Sequence, residues 1–396
     1  MKDCRDSRTS PARMLKWATM AIIAASAAPA VARADFPPYA KVITIAVVAP
    51  LSGPQRQFGL DLSAGVQQAV DDANNVRGIA DYGWTMRSFD DQADPGVAAQ
   101  QAQFALVDDS TSFIIGHLGA EETTLALPVY HQQEIPVIIP TASRASLTRA
   151  GYDDVFRLSA TDVSEGELDA RYAERSRKAK KVAVVYEEND YGADAAQGFM
   201  NYAGSGKTMA AKDYGIDNDL KGLSDLSVRV RAYAPDLLYI SGNGDDMVKV
   251  VKSLRKAGVG APLLATQAFF SQTMAKNLGD DAAGMTVSSP TPPIDLLPQA
   301  QGFIHRYESA HGAVSPFALF GYVAAQVGIA AARQAHSGDR RTLDRQLSIG
   351  GFPTILGTVS FQKNGDPEQP NVYEYRYADG RFAFLESAYP NALIAR

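Results

Sequence analysis

Cysteine is nearly missing from this chain: the single one, Cys4, lies among its first residues. If the N-terminal segment is removed no thiol remains, which excludes disulfides, thiolate catalysis and cysteine metal sites together. A chain of 396 residues needs no such staples, because it can bury enough apolar surface without them. Long hydrophobic runs are missing too. The longest, Trp17–Ala28, spans about twelve residues where a membrane helix needs about twenty. Nor is there an excess of positive charge, since 38 Lys and Arg stand against 44 Asp and Glu. Nucleic acid and anionic membrane surfaces, which require concentrated positive charge, are therefore not expected partners.

The short apolar run has its own meaning. Arg13 and Lys16 precede it and Ala32-Arg33-Ala34 follows, the small-x-small pattern read by signal peptidase. Residues 1–34 are expected to be a secretory signal peptide cut after Ala34. Removing its six basic and two acidic residues leaves 32 basic against 42 acidic, a net charge of −10. That acidity favours solubility. The remaining 362 residues exceed one ordinary domain.

Two stretches run through the same succession of elements. The first reads as strand Val42–Val48, a loop ending in Phe58-Gly59, a helix, strand Phe113–Gly116, another helix, Pro136, a short apolar strand and Thr141. The second reads as strand Lys181–Tyr186, a loop ending in Tyr191-Gly192, a helix, strand Asp236–Ser241, another helix, Pro262, a short apolar strand and Thr266. Further strands are expected at Trp84–Phe89 and Met285–Ser288. Short β-branched runs alternating with helical patterns argue for parallel sheets covered by helices, hence two similar α/β lobes with a cleft between them. After Gly350 the character shifts to strands and turns. Thr358–Phe361 and Val372–Tyr377 are expected to form a terminal antiparallel hairpin, with Asn364-Gly365-Asp366 and Ala378-Asp379-Gly380 as turns.

Enzyme motifs fail when tested. Gly204-Ser205-Gly206-Lys207-Thr208 resembles the end of a phosphate-binding loop, but Asn201 stands where that motif needs glycine. Gly242-Asn243-Gly244 lacks the third glycine of a dinucleotide fingerprint, with Met247 in its place. No glycine-flanked nucleophile serine occurs, and the five scattered histidines offer no pair at metal-ligand spacing. Asp90-Asp91 and Glu121-Glu122 are the best acid–base candidates, yet the first pair ends a strand and the second complements a helix N-terminus. No catalytic residue, metal or cofactor is expected.

What remains suits binding. In parallel α/β sheets ligands collect at the carboxyl ends of strands, where helix N-termini present unpaired N–H groups. Ser52–Gly59, Gly116–Thr123, Thr141–Ser143 and Glu187–Gly192 are four such loops, rich in small and hydroxylic residues. Phe58 and Tyr191, each just before a glycine and a helix, can supply flat apolar walls.

At these residues the chain resembles the periplasmic leucine/isoleucine/valine-binding proteins. The resemblance rests on IAVVAPLSGPQRQFG at 45–59, IIGHLG at 114–119, IPVIIPTAS at 135–143, Leu147-Thr148 with Gly151-Tyr152, NDYG at 189–192 and DDAAGM at 280–285. It runs from about Lys41 to about Gly380. It implies the type I periplasmic binding fold: two Rossmann-like α/β lobes with parallel sheets, joined by three crossover strands and closing on a ligand that passes to an ABC importer. Crossings are expected near Ala160–Ser164, Ser288–Pro290 and Phe352–Gly357. Lobe 1 then comprises residues 35–161 with 290–352, and lobe 2 comprises 162–289 with 353–396.

The resemblance also implies a ligand set. Thr141 and Ser143, with Ala142 between them, keep the role of holding an amino acid's carboxylate; Tyr191 matches a tyrosine lining the pocket, and Phe58 stands for an aromatic packing on the ligand side chain. Three positions depart: Ala120 replaces a carboxylate-binding serine, Asn243 a second tyrosine, and Gln267 the glutamate that pairs with the ammonium. A charge-assisted bond of about 1.5–3 kcal/mol is thereby exchanged for one roughly half as strong. Ala93 and Gly119 occupy the positions of the family's cysteine pair. Glu121 and Glu122, where the family has small hydroxylic residues, would repel a carboxylate unless they turn to solvent.

The expected function is a periplasmic substrate-binding protein, a monomer, capturing an amino acid or related small polar molecule by hinge closure and delivering it to a permease and ATPase complex in the inner membrane. An amide-type ligand is suggested by Gln267 and Asn243, and an aromatic or apolar carboxylic acid by Ala120, Phe269 and Phe270. A sensory ectodomain, or an enzyme on the same scaffold using Glu121, Glu122 or Asp162, stays open.

Overall fold

A parallel strand covered on both faces must be apolar along its whole length, and β1 (Lys41–Ala49) is buried from Ile43 onward. It pairs in parallel with β2 (Tyr82–Asp90) on one side and β3 (Thr111–Gly116) on the other, and β4 (Val137–Ile139) and β5 (Val155–Arg157) extend the sheet in the order β2-β1-β3-β4-β5. These positions come from a computed structural model that describes residues 41–75, 82–205 and 208–387. The signal peptide and its cleavage after Ala34 lie outside the described residues, as do Gly206 and Lys207 and everything beyond Ser387.

Helices α2 (Pro95–Ala105) and α3 (Ala120–Gln132) cover one face of this sheet. The other face is covered by α1 (Arg56–Asn75) together with three helices from late in the chain, α9 (Gln301–His311), α10 (Pro316–Ala335) and α11 (Arg340–Ile349). The first lobe is therefore discontinuous in sequence.

The second sheet repeats this topology strand for strand. β6 (Lys181–Glu187) lies between β7 (Ala210–Ile216) and β8 (Leu237–Ser241), followed by β9 (Leu263–Ala265) and β10 (Thr286–Ser289), all parallel. Two antiparallel strands, β13 (Tyr373–Ala378) and β14 (Arg381–Ser387), then complete seven. α4 (Asp162–Arg175) and α5 (Asp190–Ser205) pack on one face, and α6 (Leu223–Tyr233), α7 (Gly244–Lys256) and α8 (Gln272–Leu278) on the other.

The duplicated aromatic-glycine pair has one physical cause in both lobes. A Cβ on Gly59 would stand 2.0 Å from the carbonyl oxygen of Pro50, and one on Gly192 would stand 2.3 Å from that of Glu187. In each lobe the first turn of the helix presses directly onto the end of the first strand. Six residues further on, a second glycine repeats the pattern. Gly65 and Gly321 let α1 and α10 meet backbone to backbone, while Gly198 and Gly166 do the same for α5 and α4; any added Cβ would fall 1.9–2.3 Å from a carbonyl oxygen of the facing helix.

Two expectations for the chain's end are corrected. Thr358–Phe361 does not pair with Val372–Tyr377. Instead β12 (Gly357–Ser360) pairs with β11 (Gly351–Thr354), and β13 pairs with β14 around Asp379 and Gly380, whose φ values of 51° and 75° suit a tight hairpin turn. The β11–β12 hairpin packs on α10 and α11, with Phe352 and Phe361 in the first lobe's core. The third crossing therefore comes after Asp366 rather than near Phe352–Gly357, because residues 365–366 are pinned to β5. Arg157 N–H donates to the Gly365 carbonyl at 2.9 Å, and the fully buried Arg157 guanidinium pairs with the Asp366 carboxylate.

Candidate functional site

In the order β2-β1-β3 the chain leaves β1 to one side and returns to the other, so loops diverge and open a crevice at the carboxyl ends of β1 and β3. The second lobe does the same at β6 and β8. A cavity of about 660 Å³ lies at these ends, lined from the first lobe by Phe58, Ala120, Ser143, Arg144 and Phe317 and from the second by Asp162, Tyr191, Asn243, Gln267 and Ala268. Phe58, Gln267 and Phe317 also border a narrower chamber of about 300 Å³, where Thr141, Gly119, Leu118 and Phe320 stand. Of the ligand positions expected from the sequence, Phe58, Ala120, Thr141, Ser143, Tyr191, Asn243 and Gln267 converge on these two spaces, while Ala142 and Glu121 do not.

Ala142 is turned inward: its methyl is in the first lobe's core and its carbonyl accepts from Arg157 Nη1 at 3.4 Å. Thr141 Oγ1 donates to the Leu118 carbonyl at 3.2 Å, tying the loop after β4 to the loop after β3. Ser143 hydrogen-bonds the carboxyl group of Asp162, and its carbonyl accepts the Asp162 N–H at 3.2 Å. Ala120 opens α3 and borders the larger cavity, and the preceding Gly119, which supplies no side-chain cap, borders the chamber.

Glu121 lines neither space. Its carboxylate accepts from Arg144 Nη2 at 2.6 Å, which holds its pKa below the usual carboxylate range. The same Arg144 nitrogen lies 3.3 Å from Asp190 of α5, so an ion pair spans the lip of the cleft. Glu122 is buried and folded back over Gly119, where a Cβ would meet its Oε2 at 2.0 Å. Asp90 and Asp91 are structural as well. Asp90 Oδ1 accepts backbone N–H groups of Leu51, Ser52 and Gln92, and the buried Asp91 meets His117 Nδ1 at 2.7 Å, with His117 Nε2 3.0 Å from the Tyr130 hydroxyl.

The aromatic wall differs from expectation in one partner. Phe58 stacks on Phe317 with centroids 4.5 Å apart and planes at 21°. Phe317 is the second residue of α10, whose Ser315 cap and Pro316 start fix its direction. Phe58, Tyr191 and Phe317 all sit in first helical turns facing the cavity, a shared placement that the sequence carries. Phe269 and Phe270, by contrast, line neither space. Phe269 is wholly buried, and Phe270 packs on Tyr375 and Phe382 at 4.5 and 4.8 Å.

Behind Gln267 the second lobe is acidic. Glu165 Oε1 accepts the Gln267 N–H at 2.9 Å and the Ser288 hydroxyl at 3.1 Å, and Ser288 also reaches Asp169 at 3.1 Å. Burial, then the charges of one another, push Glu165, Asp169 and Glu374 well above ordinary carboxyl pKa values. Asp162, at the cavity wall, is pushed up to about 6, mainly by burial and further by Asp194, against the hydrogen bond from Ser143 and the charges of Arg157 and Arg144. These groups are raised relative to the unfolded chain, so their contribution to stability is complete below about pH 4 and is lost as pH rises through their folded values. Denaturation midpoints are accordingly expected to fall from about pH 5 to about pH 8, and Asp162→Asn to flatten the part of that decline near pH 6. A midpoint that rises over this range would contradict the assignment.

A family model described as periplasmic binding protein matches residues 42–381. The Leu/Ile/Val-binding protein of Citrobacter freundii is 27% identical over 329 residues, covering 83% of this chain and 89% of that protein. A leucine-binding protein from Thermotoga maritima superposes with a TM-score of 0.72 at 22% identity, covering 89% of this chain and 100% of the other. A solute-binding protein of Rhodopseudomonas palustris, solved in complex with benzoate, gives a TM-score of 0.67 at 21% identity over 88% of this chain and 97% of its own.

Proposed function

Because the chain belongs to the periplasmic binding protein family, we propose that it is the substrate-binding protein of an ABC importer, taking up a small carboxylate in the cleft between its lobes. The observation that carries this reading is a cavity walled by both sheets' carboxyl-end loops, with Ser143 and Ala120 from one lobe and Tyr191, Asn243 and Gln267 from the other. The ligand carboxylate meets Thr141 and Ser143 beside the start of α3, while Arg144 at the same wall is already paired with Glu121 and Asp190. Its body lies on the Phe58–Phe317 wall.

Contacts from both lobes favour the closed state only through their excess over the open state's contacts, so residues reaching across the cleft set affinity. Ser143→Ala and Tyr191→Ala are each expected to weaken binding by about tenfold or more with the fold unchanged by circular dichroism. Unchanged calorimetric affinity in both variants would remove the site assignment. The choice of carboxylate turns on the second lobe. Asp162 is the acid that the cavity wall offers to an ammonium, since Gln267 is neutral, and the paired phenylalanines favour an aromatic or apolar acid as the alternative to an amino acid. Asp162→Asn separates the two: it weakens an amino acid and does not weaken an aromatic acid.

Export under the signal peptide 1–34 delivers the mature chain, a monomer, to the periplasm beside its permease and ATPase complex. No helix of the described residues is long and apolar enough to cross a membrane.

A further inference from the structure

Far from the cleft, at the amino ends of the first lobe's strands, three segments distant in sequence meet. The end of α3 brings His131, the turn before β5 brings Asp153 and Asp154, and α11 brings Asp344. His131 Nδ1 lies 2.9 Å from Asp154 Oδ2, and one donor atom from each of His131, Asp153 and Asp154 falls within 4.8 Å of the others.

Two oxygens of this group have no partner among the described residues. Asp154 is only 4% exposed, and its second oxygen, Oδ1, is buried without a hydrogen-bond donor. Asp344 Oδ1 is buried in the same condition. Burial, followed by the charges of Asp153 and Asp154, pushes Asp344 up to about 6, with Arg345 and His131 offsetting part of it. Neighbouring Arg341 is already engaged by Glu134. Buried carboxylate oxygens are nearly always satisfied, and the orphaned Asp154 Oδ1, in a group with the His131 imidazole and the Asp153 carboxylate, calls for a positive partner.

We propose that His131, Asp153 and Asp154 bind a divalent first-row transition-metal ion, with zinc the best fit. Zinc bonds of about 2.0–2.2 Å place neighbouring ligand atoms about 3–3.5 Å apart, close to the His131–Asp154 separation. A mixed imidazole and carboxylate set suits zinc, whereas calcium and magnesium prefer oxygen throughout. Three ligands from two segments would clamp the end of α3 to the turn before β5, and none of them lines the cleft. The sequence conceals the site because His131 has no partner histidine at ligand spacing.

The test is calorimetric titration of the tag-free chain with zinc chloride at about pH 7.5, paired with thermal melts. One zinc per chain is expected, with micromolar affinity and a melting temperature raised by several degrees. His131→Ala and Asp153→Asn should each lower affinity by about tenfold or more; the zinc-free melting temperature should stay within about two degrees for the solvent-reaching Asp153→Asn and fall for His131→Ala, which strips Asp154 of its partner. No saturable zinc binding by the wild type, binding left unchanged in both variants, or equally tight binding of calcium would each overturn the proposal.

Discussion

Replacing Arg157 by methionine is expected to cost about 3–5 kcal/mol of folding stability, the effect of breaking a buried ion pair by removing one partner. The guanidinium is wholly buried; Nε and Nη2 donate to Asp366 Oδ1 at 3.0 and 2.5 Å, and Nη1 donates to the Arg144 carbonyl at 2.6 Å. Thr148 also donates to Asp366, at 2.7 Å. One arginine thus joins β5, the loop carrying Ser143 and the segment leading into the third crossing. Without it Asp366 is left with a charge that Thr148 and Asn364 only partly compensate. The Arg157→Met, Asp366→Leu double variant should recover roughly half of the loss or more, because no charge is then stranded. Urea denaturation of the three proteins measures this, and a single variant within about 1 kcal/mol of wild type would show that the pair is not what pins the crossing.

Gly192→Ala is expected to destabilise by about 1–3 kcal/mol and to reduce ligand affinity more than about tenfold. The new Cβ would sit 2.3 Å from the Glu187 carbonyl oxygen and 3.1 Å from its nitrogen, and because these are backbone atoms the helix itself must move. Tyr191 precedes it in the first turn of α5, so the displacement reaches the cavity wall. Gly59→Ala should behave alike in the other lobe, where Pro50 is the obstacle and Phe58 the displaced ring. Gly204→Ala is the control: a methyl added there would meet nothing within 4 Å. Its effect should be small, within about 1 kcal/mol and towards stabilisation, since alanine is the better helix former. Loss of stability without loss of binding would separate the glycine's packing role from the placement of the aromatic.

Much of this architecture is legible in the chain because parallel strands covered on both faces write themselves as short apolar runs. The runs at Val42–Val48, Val137–Ile139, Leu237–Ser241 and Leu263–Ala265 are all strands, and the repeated order of the two halves becomes the identical order of the parallel strands in the two sheets. β5 is hidden because it is three residues long and ends in an arginine, and β7 because its solvent-facing side chains interrupt the pattern. The third crossing is hidden for a different reason: it depends on Arg157 meeting Asp366, a contact across 209 residues that no local pattern encodes.

The cleft is legible at its loops and less so at its side chains. Glycines and hydroxyls following strand ends point to the loops of Thr141, Ser143 and Tyr191, which line the two spaces, but direction within an element decides which side chain faces the cavity. Phe317 belongs to a helix that reads as core along its length, yet its first turn opens on the cavity. Phe269 and Phe270 promise an aromatic lining and point into the second lobe's core instead. Asp162, an acid with only a general role in the sequence, stands at the cavity wall beside Ser143.

Calorimetric titration of the mature chain with benzoate, leucine and glutamine tests the central claim most directly. A small carboxylate captured between two lobes predicts saturable one-to-one binding of at least one of these compounds, weakened by about tenfold or more by Ser143→Ala. No saturable heat with any of them, or binding that Ser143→Ala leaves unchanged, would contradict it.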